Sequence, residues 1–265
     1  MRNLLIIAGL DPSGGAGILA DSRVAAHHGL RSVGVVTGLT EQDTRGVRNA
    51  NVVATEIVLH QLRTLLSDVE IAAVKIGMLG SEAIAGAVAE ALDLTAAPVV
   101  WDPVLLPTRG RVALYQGSQA RAVQLLTPHV TVATPNLHEA AALTGGEAID
   151  DVEGMEAAAK ALRGGGMSAV LVTGGHLSAT YDGDVRRATE AIDVLAYEGG
   201  VERLAGDWID TGGPVHGTGC ALSTALACAL ARGASLVDAA RAAKDFVGSK
   251  LREPAAAGRG MKSIV

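Results

Sequence analysis

A chain of 265 residues that is 49% hydrophobic and 19% charged is long enough to bury a large core. One Phe, two Trp and three Tyr offer few stacking platforms for single-stranded nucleic acid, and a net charge of −6 argues against nucleic acid or an anionic membrane surface as partner. No apolar run has the length of a signal sequence or membrane span, and Cys220 and Cys228 lie too far apart on one predicted helix for a disulfide, so we expect a cytoplasmic protein with free thiols.

Short apolar runs alternate with amphipathic, alanine-rich segments along most of the chain. The predicted strands cover residues 4–8, 32–37, 72–76, 98–102, 130–134 and 169–173. The predicted helices cover residues 15–28, 54–66, 82–92, 119–126, 138–144, 155–163, 220–231 and 236–251. Strands that are apolar throughout and are separated by helices are typical of a parallel sheet covered on both faces, so we expect an α/β fold.

Two segments depart from this alternation. Residues 191–204 contain two short runs around Glu198-Gly199-Gly200 and predict a β-hairpin at one edge of the sheet. Residues 254–265 are rich in alanine, glycine and basic residues and predict a loose C-terminal tail. The chain shows no linker, internal repeat or low-complexity block, so we expect residues 1–253 to form one domain.

Polar and glycine-rich motifs follow the predicted strands, where the ligand crevice of an open α/β sheet lies. In chain order they are Gly9-Leu10-Asp11-Pro12-Ser13-Gly14-Gly15-Ala16-Gly17, Gln42-Asp43-Thr44-Arg45-Gly46 in a loop, Lys75-Ile76-Gly77-Met78, Asp102-Pro103-Val104, Thr134-Pro135-Asn136-Leu137-His138-Glu139 and Thr173-Gly174-Gly175-His176. Loops of this kind in a hydrophobic chain carry function more often than packing, so the pattern predicts a functional site at one end of the sheet.

The segment His216-Gly217-Thr218-Gly219-Cys220 directly precedes a run of small apolar residues that predicts a buried helix. Its glycines leave backbone N–H groups open at the helix N-terminus, where the dipole favours an anion such as phosphate. The same field favours the thiolate of Cys220 and predicts a pKa lowered from about 8.5 toward neutrality. Together these features indicate phosphoryl transfer. A tight turn before a core helix and a thiol nucleophile with His216 as its base are the alternatives.

Gly14-Gly15-Ala16-Gly17 follows a strand and opens a helix, as a dinucleotide-binding loop does. Its glycine spacing differs from that motif, no acidic residue ends the second strand, and the chain has no Gly-x-x-x-x-Gly-Lys-Ser/Thr sequence. The glycines indicate either close packing of helix on sheet or backbone contact with a small ligand. In the second case Asp11 would accept a hydrogen bond from that ligand.

Asn136 and Glu139 lie three residues apart at the start of a predicted helix, so their side chains project from its first turn. An amide and a carboxylate at that spacing can hold a hydrated Mg²⁺, which keeps several waters and needs few protein ligands. They can equally form a capping box, with Asn136 as the N-cap. Asp102 ends an apolar strand, where a carboxylate needs a partner, and it could supply negative charge near the metal or form a turn before Pro103.

The motifs in this order resemble those of the hydroxymethylpyrimidine/phosphomethylpyrimidine kinases of thiamine biosynthesis, which belong to the ribokinase-like superfamily. The likeness extends from about Leu4 to Leu251 and rests on the motifs that begin at Gly9, Gln42, Lys75, Asp102, Thr134 and His216. It implies a ribokinase-like three-layer α/β sandwich, with a central, mostly parallel sheet between helices. It also implies a small-molecule pyrimidine substrate, ATP as phosphoryl donor, Mg²⁺ and a homodimer.

The resemblance also implies roles by position. Cys220 looks like the general base, where most of the superfamily uses Asp, and Gly217, Thr218 and Gly219 would form the anion hole. The implied substrate-binding residues are Gly9, Asp11, Ala16, Gln42, Met78 and Val104. The implied nucleotide-binding residues are Asp102, Thr173, Gly175 and His216, and Asn136 and Glu139 look like ligands of Mg²⁺-bound water.

Several positions depart from the commonest family pattern. Thr173 stands where many relatives carry Lys, Thr108-Arg109 replaces a frequent Lys-Ser, and Val215 stands where Thr is usual. Leu10 and Leu19 replace polar residues near the substrate end. Because these changes bear on phosphate handling and substrate identity, a pyridoxal-type kinase and a weakly catalytic pyrimidine-binding protein remain alternatives.

Overall fold

A computed structural model describes residues 1–104, 112–175 and 190–265 of the chain. Its strands are β1 (Asn3–Leu10), β2 (Arg31–Asp43), β3 (Gly46–Val52), β4 (Ile71–Ile76), β5 (Val99–Trp101), β6 (Val132–Ala133), β7 (Val170–Val172), β8 (Glu190–Tyr197), β9 (Gly200–Asp207), β10 (Val215–His216) and β11 (Lys262–Ser263). Its helices are α1 (Gly17–His27), α2 (Thr55–Asp68), α3 (Glu82–Leu92), α4 (Gln119–Leu126), α5 (Leu137–Thr144), α6 (Val152–Gly164), α7 (Thr218–Ala231) and α8 (Leu236–Leu251).

A central sheet of nine strands runs through the described part of the chain in the order β3-β2-β1-β4-β5-β6-β7-β8-β9. Every neighbouring pair from β2 to β7 is parallel, and β3, β8 and β9 pair antiparallel at the two edges. Side chains of β1 alternate between the faces: Leu5 and Ile7 pack with α2–α6, whereas Leu4 and Ile6 pack with α1, α7 and α8. The expected three-layer α/β fold is therefore confirmed.

The structure extends the predicted second strand and adds β3, which the sequence analysis did not predict. Gln42 and Asp43, which we expected in a loop, lie at the end of β2 and pair with Val47 and Gly46 of β3. This hairpin stands at the edge of the sheet, and most of its side chains are at least partly exposed. Because such a strand has no need of a continuous apolar run, its sequence lacked the pattern used to find the buried strands.

The C-terminal segment, expected to be loose, packs against the domain. Met261 and Ile264 are buried, and β11 pairs with β10 through Val215–Lys262 and His216–Ser263. Burial of these two apolar side chains and the pairing with β10 both favour the ordered segment. Among the helices in the described ranges, none combines the length and apolar character needed to cross a bilayer.

Candidate active site

The motifs meet at one end of the sheet, because the carboxyl ends of the parallel strands all lie at that end. The candidate residues extend from Gln42 at the end of β2 to Thr173 just after β7. With neighbouring strands about 4.8 Å apart, the five intervals from β2 to β7 span about 24 Å. Helix α7 packs against β1, β4 and β5, so its N-terminus lies near the middle of that span.

Asp11 organises the loop between β1 and α1 through contacts inside the protein. Its Oδ1 accepts hydrogen bonds from the backbone N–H and the hydroxyl of Ser13, at 2.8 and 2.7 Å. Its Oδ2 accepts one from the backbone N–H of Ala16 at 3.0 Å and lies 3.0 Å from Nε2 of His216. Burial raises the pKa of Asp11, but the contacts with His216 and Ser13 outweigh burial and leave the pKa lowered.

The sequence analysis assigned Asp11 to the substrate, whereas in this structure its carboxylate is engaged within the protein. Its two oxygens accept three hydrogen bonds from Ser13 and Ala16, and Oδ2 also contacts the His216 ring. The backbone N–H of Ala16 is likewise committed to Asp11. Asp11 and Ala16 therefore shape the loop in this structure.

The glycines of the first loop allow that loop to approach the segment before α7. A Cβ on Gly217, whose φ is +84°, would lie 1.9 Å from the carbonyl oxygen of Gly15. A Cβ on Gly15 would lie 2.5 Å from the His216 ring. At these two positions the lack of a Cβ therefore permits a close contact between the two loops.

His216 lies beside Gln42, whereas the resemblance grouped it with the nucleotide-binding residues. Its Nε2 is 3.0 Å from Nε2 of Gln42, and the side-chain oxygen of Gln42 accepts a hydrogen bond from the Thr40 hydroxyl at 3.2 Å. Nδ1 of His216 is buried without a hydrogen-bond partner. Among the described residues His216 makes no hydrogen bond with Cys220, so the pair that a thiol hydrolase requires is not formed.

Met78 and Val104 belong to an apolar cluster close to Gln42. Met78 clusters with Leu114 and with Val47 of β3, the residue that pairs with Gln42, and Val104 packs against that cluster. Gly9 also approaches it, since an added Cβ would lie 3.1 Å from the Met78 sulfur. An amide beside an apolar cluster is suited to a small polar heterocycle.

The N-terminus of α7, near the middle of the span, has features that suit an anion. Gly217 is the N-cap in the left-handed conformation, no side chain caps the helix, and Thr218, Gly219 and Cys220 are its first three residues. The first N–H groups of a helix have no partners within the helix, and the dipole there favours negative charge. Gly219 is exposed, and a Cβ built on it meets nothing within 4 Å.

The Cys220 thiol behaves differently from the sequence-based prediction. Burial raises its pKa to about 12; the charge of Lys75 opposes this rise, whereas the carboxylates of Asp102 and Asp21 add to it. The prediction of a pKa near neutrality is therefore wrong for the free protein. The partial charge of one helix terminus does not offset the cost of burying a thiolate, to which the two nearby carboxyl groups add.

A buried polar cluster lies next to Cys220, and its members in α1 and β4 were missed as site residues. Lys75 and Asp21 form an ion pair of 2.7 Å with both side chains fully buried. Asp21 also accepts a hydrogen bond from the Thr224 hydroxyl at 2.8 Å, and Asp102 accepts one from the Ser223 hydroxyl at 3.2 Å. The sequence signals that could have identified them are a single charged residue within an apolar strand and another within an apolar helix.

Asn136 and Glu139 form the capping box at the start of α5. The Asn136 side chain accepts from the Glu139 backbone N–H at 3.0 Å, and Glu139 accepts from the Asn136 backbone N–H at 2.9 Å. Thr173 is joined to this corner, because its backbone N–H donates to Pro135 at 2.9 Å. Gly175 is exposed nearby on the chain, and Thr108, Arg109 and His176 lie outside the described residues.

Comparisons with known proteins agree with this geometry. Residues 11–265 match the family model for phosphomethylpyrimidine kinase. The chain belongs to the phosphomethylpyrimidine kinase family. A hydroxymethylpyrimidine/phosphomethylpyrimidine kinase of Rhizobium meliloti is 39% identical over 243 residues, which cover 92% of this chain and 88% of the relative.

Solved structures of two kinases are similar to this fold over nearly its whole length. Staphylococcus aureus pyridoxal kinase in complex with ADP has a TM-score of 0.88 at 27% identity, covering 100% of this chain and 93% of that one. Phosphomethylpyrimidine kinase from Clostridium difficile has a TM-score of 0.77 at 29% identity, covering 94% and 99%. The predicted family, ribokinase-like fold and phosphotransferase activity are confirmed.

Proposed function

We propose that this enzyme transfers the γ-phosphoryl group of ATP to 4-amino-5-hydroxymethyl-2-methylpyrimidine, to its monophosphate, or to both. The observation that carries the proposal is the position of the α7 N-terminus. In the strand order it lies between the end of β2, which carries Gln42, and the corner formed by Asn136 and Thr173. A site about 24 Å long can accept a heterocycle at one end and a nucleotide at the other, with the transferred group between them.

The chemistry follows from the first turn of α7. When the acceptor is the hydroxymethylpyrimidine, its hydroxyl oxygen forms a bond to the γ-phosphorus, the bond from that phosphorus to the bridging oxygen breaks, and ADP leaves with that oxygen. When the acceptor is the monophosphate, an oxygen of its phosphate group forms the new bond and no hydroxyl proton is transferred. The backbone N–H groups of Thr218 and Gly219 bind the equatorial oxygens, where charge must be stabilised. The Cys220 thiolate accepts the hydroxyl proton. Because the thiol pKa is about 12 in the free protein, thiolate formation needs compensating positive charge in the loaded site.

The residues at the β6–β7 corner fit Mg²⁺. Glu139 is buried and supplies a carboxylate, Asn136 supplies an amide oxygen, and hard oxygen donors with retained waters are what Mg²⁺ requires. The cap and the metal contact are compatible, because a carboxylate can accept a backbone N–H and also bind metal-coordinated water. Mg²⁺ would supply charge that neutralises the nucleotide phosphates. Asp102, Thr173 and Gly175 are the remaining candidates for the nucleotide end.

A pyridoxal-type kinase is the second candidate, and the solved pyridoxal kinases of the same fold favour it. A phosphorylation assay of the purified protein with ATP and Mg²⁺ separates the candidates. The acceptors are hydroxymethylpyrimidine, its monophosphate and pyridoxal. We expect the highest kcat/KM with one of the two pyrimidines. Preference for pyridoxal would select the second candidate, and binding of pyrimidine without turnover would leave a binding protein.

The role of Cys220 is tested with two substitutions. Cys220→Ser should lose most of kcat while its KM for ATP stays close to wild type, because a hydroxyl is a much weaker base. Cys220→Asp should recover part of the rate, since a carboxylate can accept the same proton. Mass spectrometry of quenched turnover mixtures distinguishes base from nucleophile: phosphate found on Cys220 would contradict the assignment.

We also propose a homodimer that works in a reducing compartment such as the cytoplasm. Leu39 is 49% exposed and Leu19 is 42% exposed. The two leucines belong to neighbouring segments, because Leu10 pairs with Leu39 and bridges Gly17. Leu39→Glu should shift the protein to a monomer in sedimentation experiments, and an unchanged mass would contradict this interface. Cys220 and Cys228 are both free, which suits reducing surroundings.

A further inference from the structure

Lys75 is a completely buried lysine beneath the centre of the candidate site. It lies within β4 and has no contact with solvent. Its Nζ lies 2.7 Å from Oδ2 of Asp21, which is equally buried. A buried ion pair is seldom the most stable solution for a core, because apolar side chains of the same volume do as well or better. A charge at this position therefore indicates a role other than stability.

The contacts of Lys75 lead directly to the first turns of α7. Asp21 accepts the Thr224 hydroxyl, and Thr224 lies four residues after Cys220 on the same face of the helix. On the other side Ser223 donates to Asp102. The charged groups that act on the Cys220 thiol are thus the ammonium of Lys75 from β4, the carboxyl group of Asp21 from α1 and the carboxyl group of Asp102 beyond β5.

This arrangement makes Lys75 the one cation among the described groups that affect Cys220. The positive charge of Lys75 lowers the pKa of the thiol, whereas Asp21 and Asp102 each raise it. The influence is mutual, since burial lowers the pKa of Lys75 but Asp21, Cys220 and Asp102 raise it well above its ordinary value. A thiolate at Cys220 would be a third negative charge beside a single ammonium.

We propose that Lys75 is a positioning residue whose charge stabilises the Cys220 thiolate, and that Asp21 and Thr224 hold its ammonium beneath the first turn of α7. The inference rests on the proposed role of Cys220 as general base. Lys75 touches neither the substrate nor the transferred group. It acts through the protein, by opposing the negative charge that proton acceptance at Cys220 requires.

The test is the rate at which iodoacetamide alkylates Cys220 in the free enzyme at pH 8, without nucleotide or substrate. Peptide mapping separates Cys220 from the buried Cys228. Lys75→Met should slow alkylation and Asp21→Asn should accelerate it, each by about threefold or more. A tenfold change in thiolate fraction becomes about threefold in rate, because a more acidic thiol is also a weaker nucleophile.

The opposite signs distinguish this role from a structural one. Both substitutions break the same buried pair, so simple loosening of the site would accelerate alkylation in both variants. Leu62→Ala is the control, because it opens the core on the opposite face of the sheet at a fully buried position. Its alkylation rate should match wild type. Equal rates or shifts of the same sign in Lys75→Met and Asp21→Asn would overturn the proposal.

A double variant allows the proposal to be tested even if either single variant fails to fold. Lys75→Met with Asp21→Asn removes both charges of the buried pair, and it should still alkylate more slowly than wild type, because Lys75 affects the thiol more than Asp21 does. A rate equal to or above wild type would overturn the proposal.

In the kinase assay Lys75→Met should lower kcat at least tenfold with an unchanged KM for ATP. If Cys220→Ser retains full kcat, the base assignment fails, whereas the alkylation result still decides whether Lys75 stabilises the thiolate.

Discussion

The backbone N–H of Met261 donates a hydrogen bond of 2.7 Å to the carbonyl oxygen of Thr44, which joins the C-terminal segment to the tip of the β2–β3 hairpin. A second bond runs from the Gly260 backbone to the Thr44 hydroxyl at 3.0 Å. Two residues further on, Ser263 pairs with His216 in the strand that precedes the anion site. The segment therefore fastens the hairpin that carries Gln42 to the start of the α7 loop.

Removal of residues 254–265 should weaken binding of the pyrimidine more than binding of ATP. The deletion frees both the tip of the β2–β3 hairpin and β10, so Gln42 and His216 are no longer held in a fixed position relative to each other. Asn136 and Thr173, by contrast, lie several strands away. We expect KM for the pyrimidine to rise about tenfold or more, with KM for ATP within about twofold. Thr44→Val, which loses only the bond from Gly260, should give a smaller change of the same kind. Equal increases in both KM values would show that the deletion acts through general loss of stability.

Gly219→Ala should lower kcat by about two orders of magnitude without lowering the melting temperature. A Cβ at Gly219 meets no protein atom within 4 Å, so it collides only with what the helix N-terminus binds. The expected loss is the size of one missing oxyanion-type donor. Gly217→Ala is the contrasting variant, because its Cβ would lie 1.9 Å from the Gly15 carbonyl and should destabilise the fold. Wild-type kcat in Gly219→Ala would show that the transferred group does not lie there.

Glu139→Gln should raise the Mg²⁺ concentration needed for half-maximal activity while leaving the melting temperature nearly unchanged. The amide oxygen of Gln can still accept the Asn136 backbone N–H, so the capping box can persist while the negative charge is removed. Activity against Mg²⁺ concentration and thermal unfolding are measured on the same preparation. Lower stability with normal Mg²⁺ dependence would leave the capping box as the sole role of Glu139.

Stability should fall as the pH rises above about 9. Burial raises the pKa of Cys220 and of Cys228 to about 12 in the folded protein, from a reference near 9. Both thiols therefore keep their protons when folded, and the unfolded chain releases them first. Stability is fully present below the unfolded pKa and is lost as the pH rises toward the folded one. Urea unfolding from pH 8 to 10.5 measures the slope, which Cys228→Ala should reduce; an unchanged slope would contradict the assignment.

Much of the fold was predictable from the sequence because buried elements carry strong periodic patterns. The bounds of α3, α4 and α8 agree with the prediction, and the first strand and its parallel partners follow the apolar runs. The sequence analysis missed the β2–β3 hairpin and the segment at β11, because these parts of the chain are polar or contain few apolar runs. Their order comes from pairing with distant parts of the chain, which no local pattern records.

The sequence by itself determined the fold class, the family and the order of the motifs, since strand composition and loop chemistry are local properties of the chain. Tertiary structure alone decided the partners of those motifs. It committed Asp11 to Ser13, Ala16 and His216, and it buried the Lys75–Asp21 pair beneath Cys220. The physical reason is that a thiol pKa depends on the burial and charges around it, and the charges here come from three elements that meet only in the folded protein.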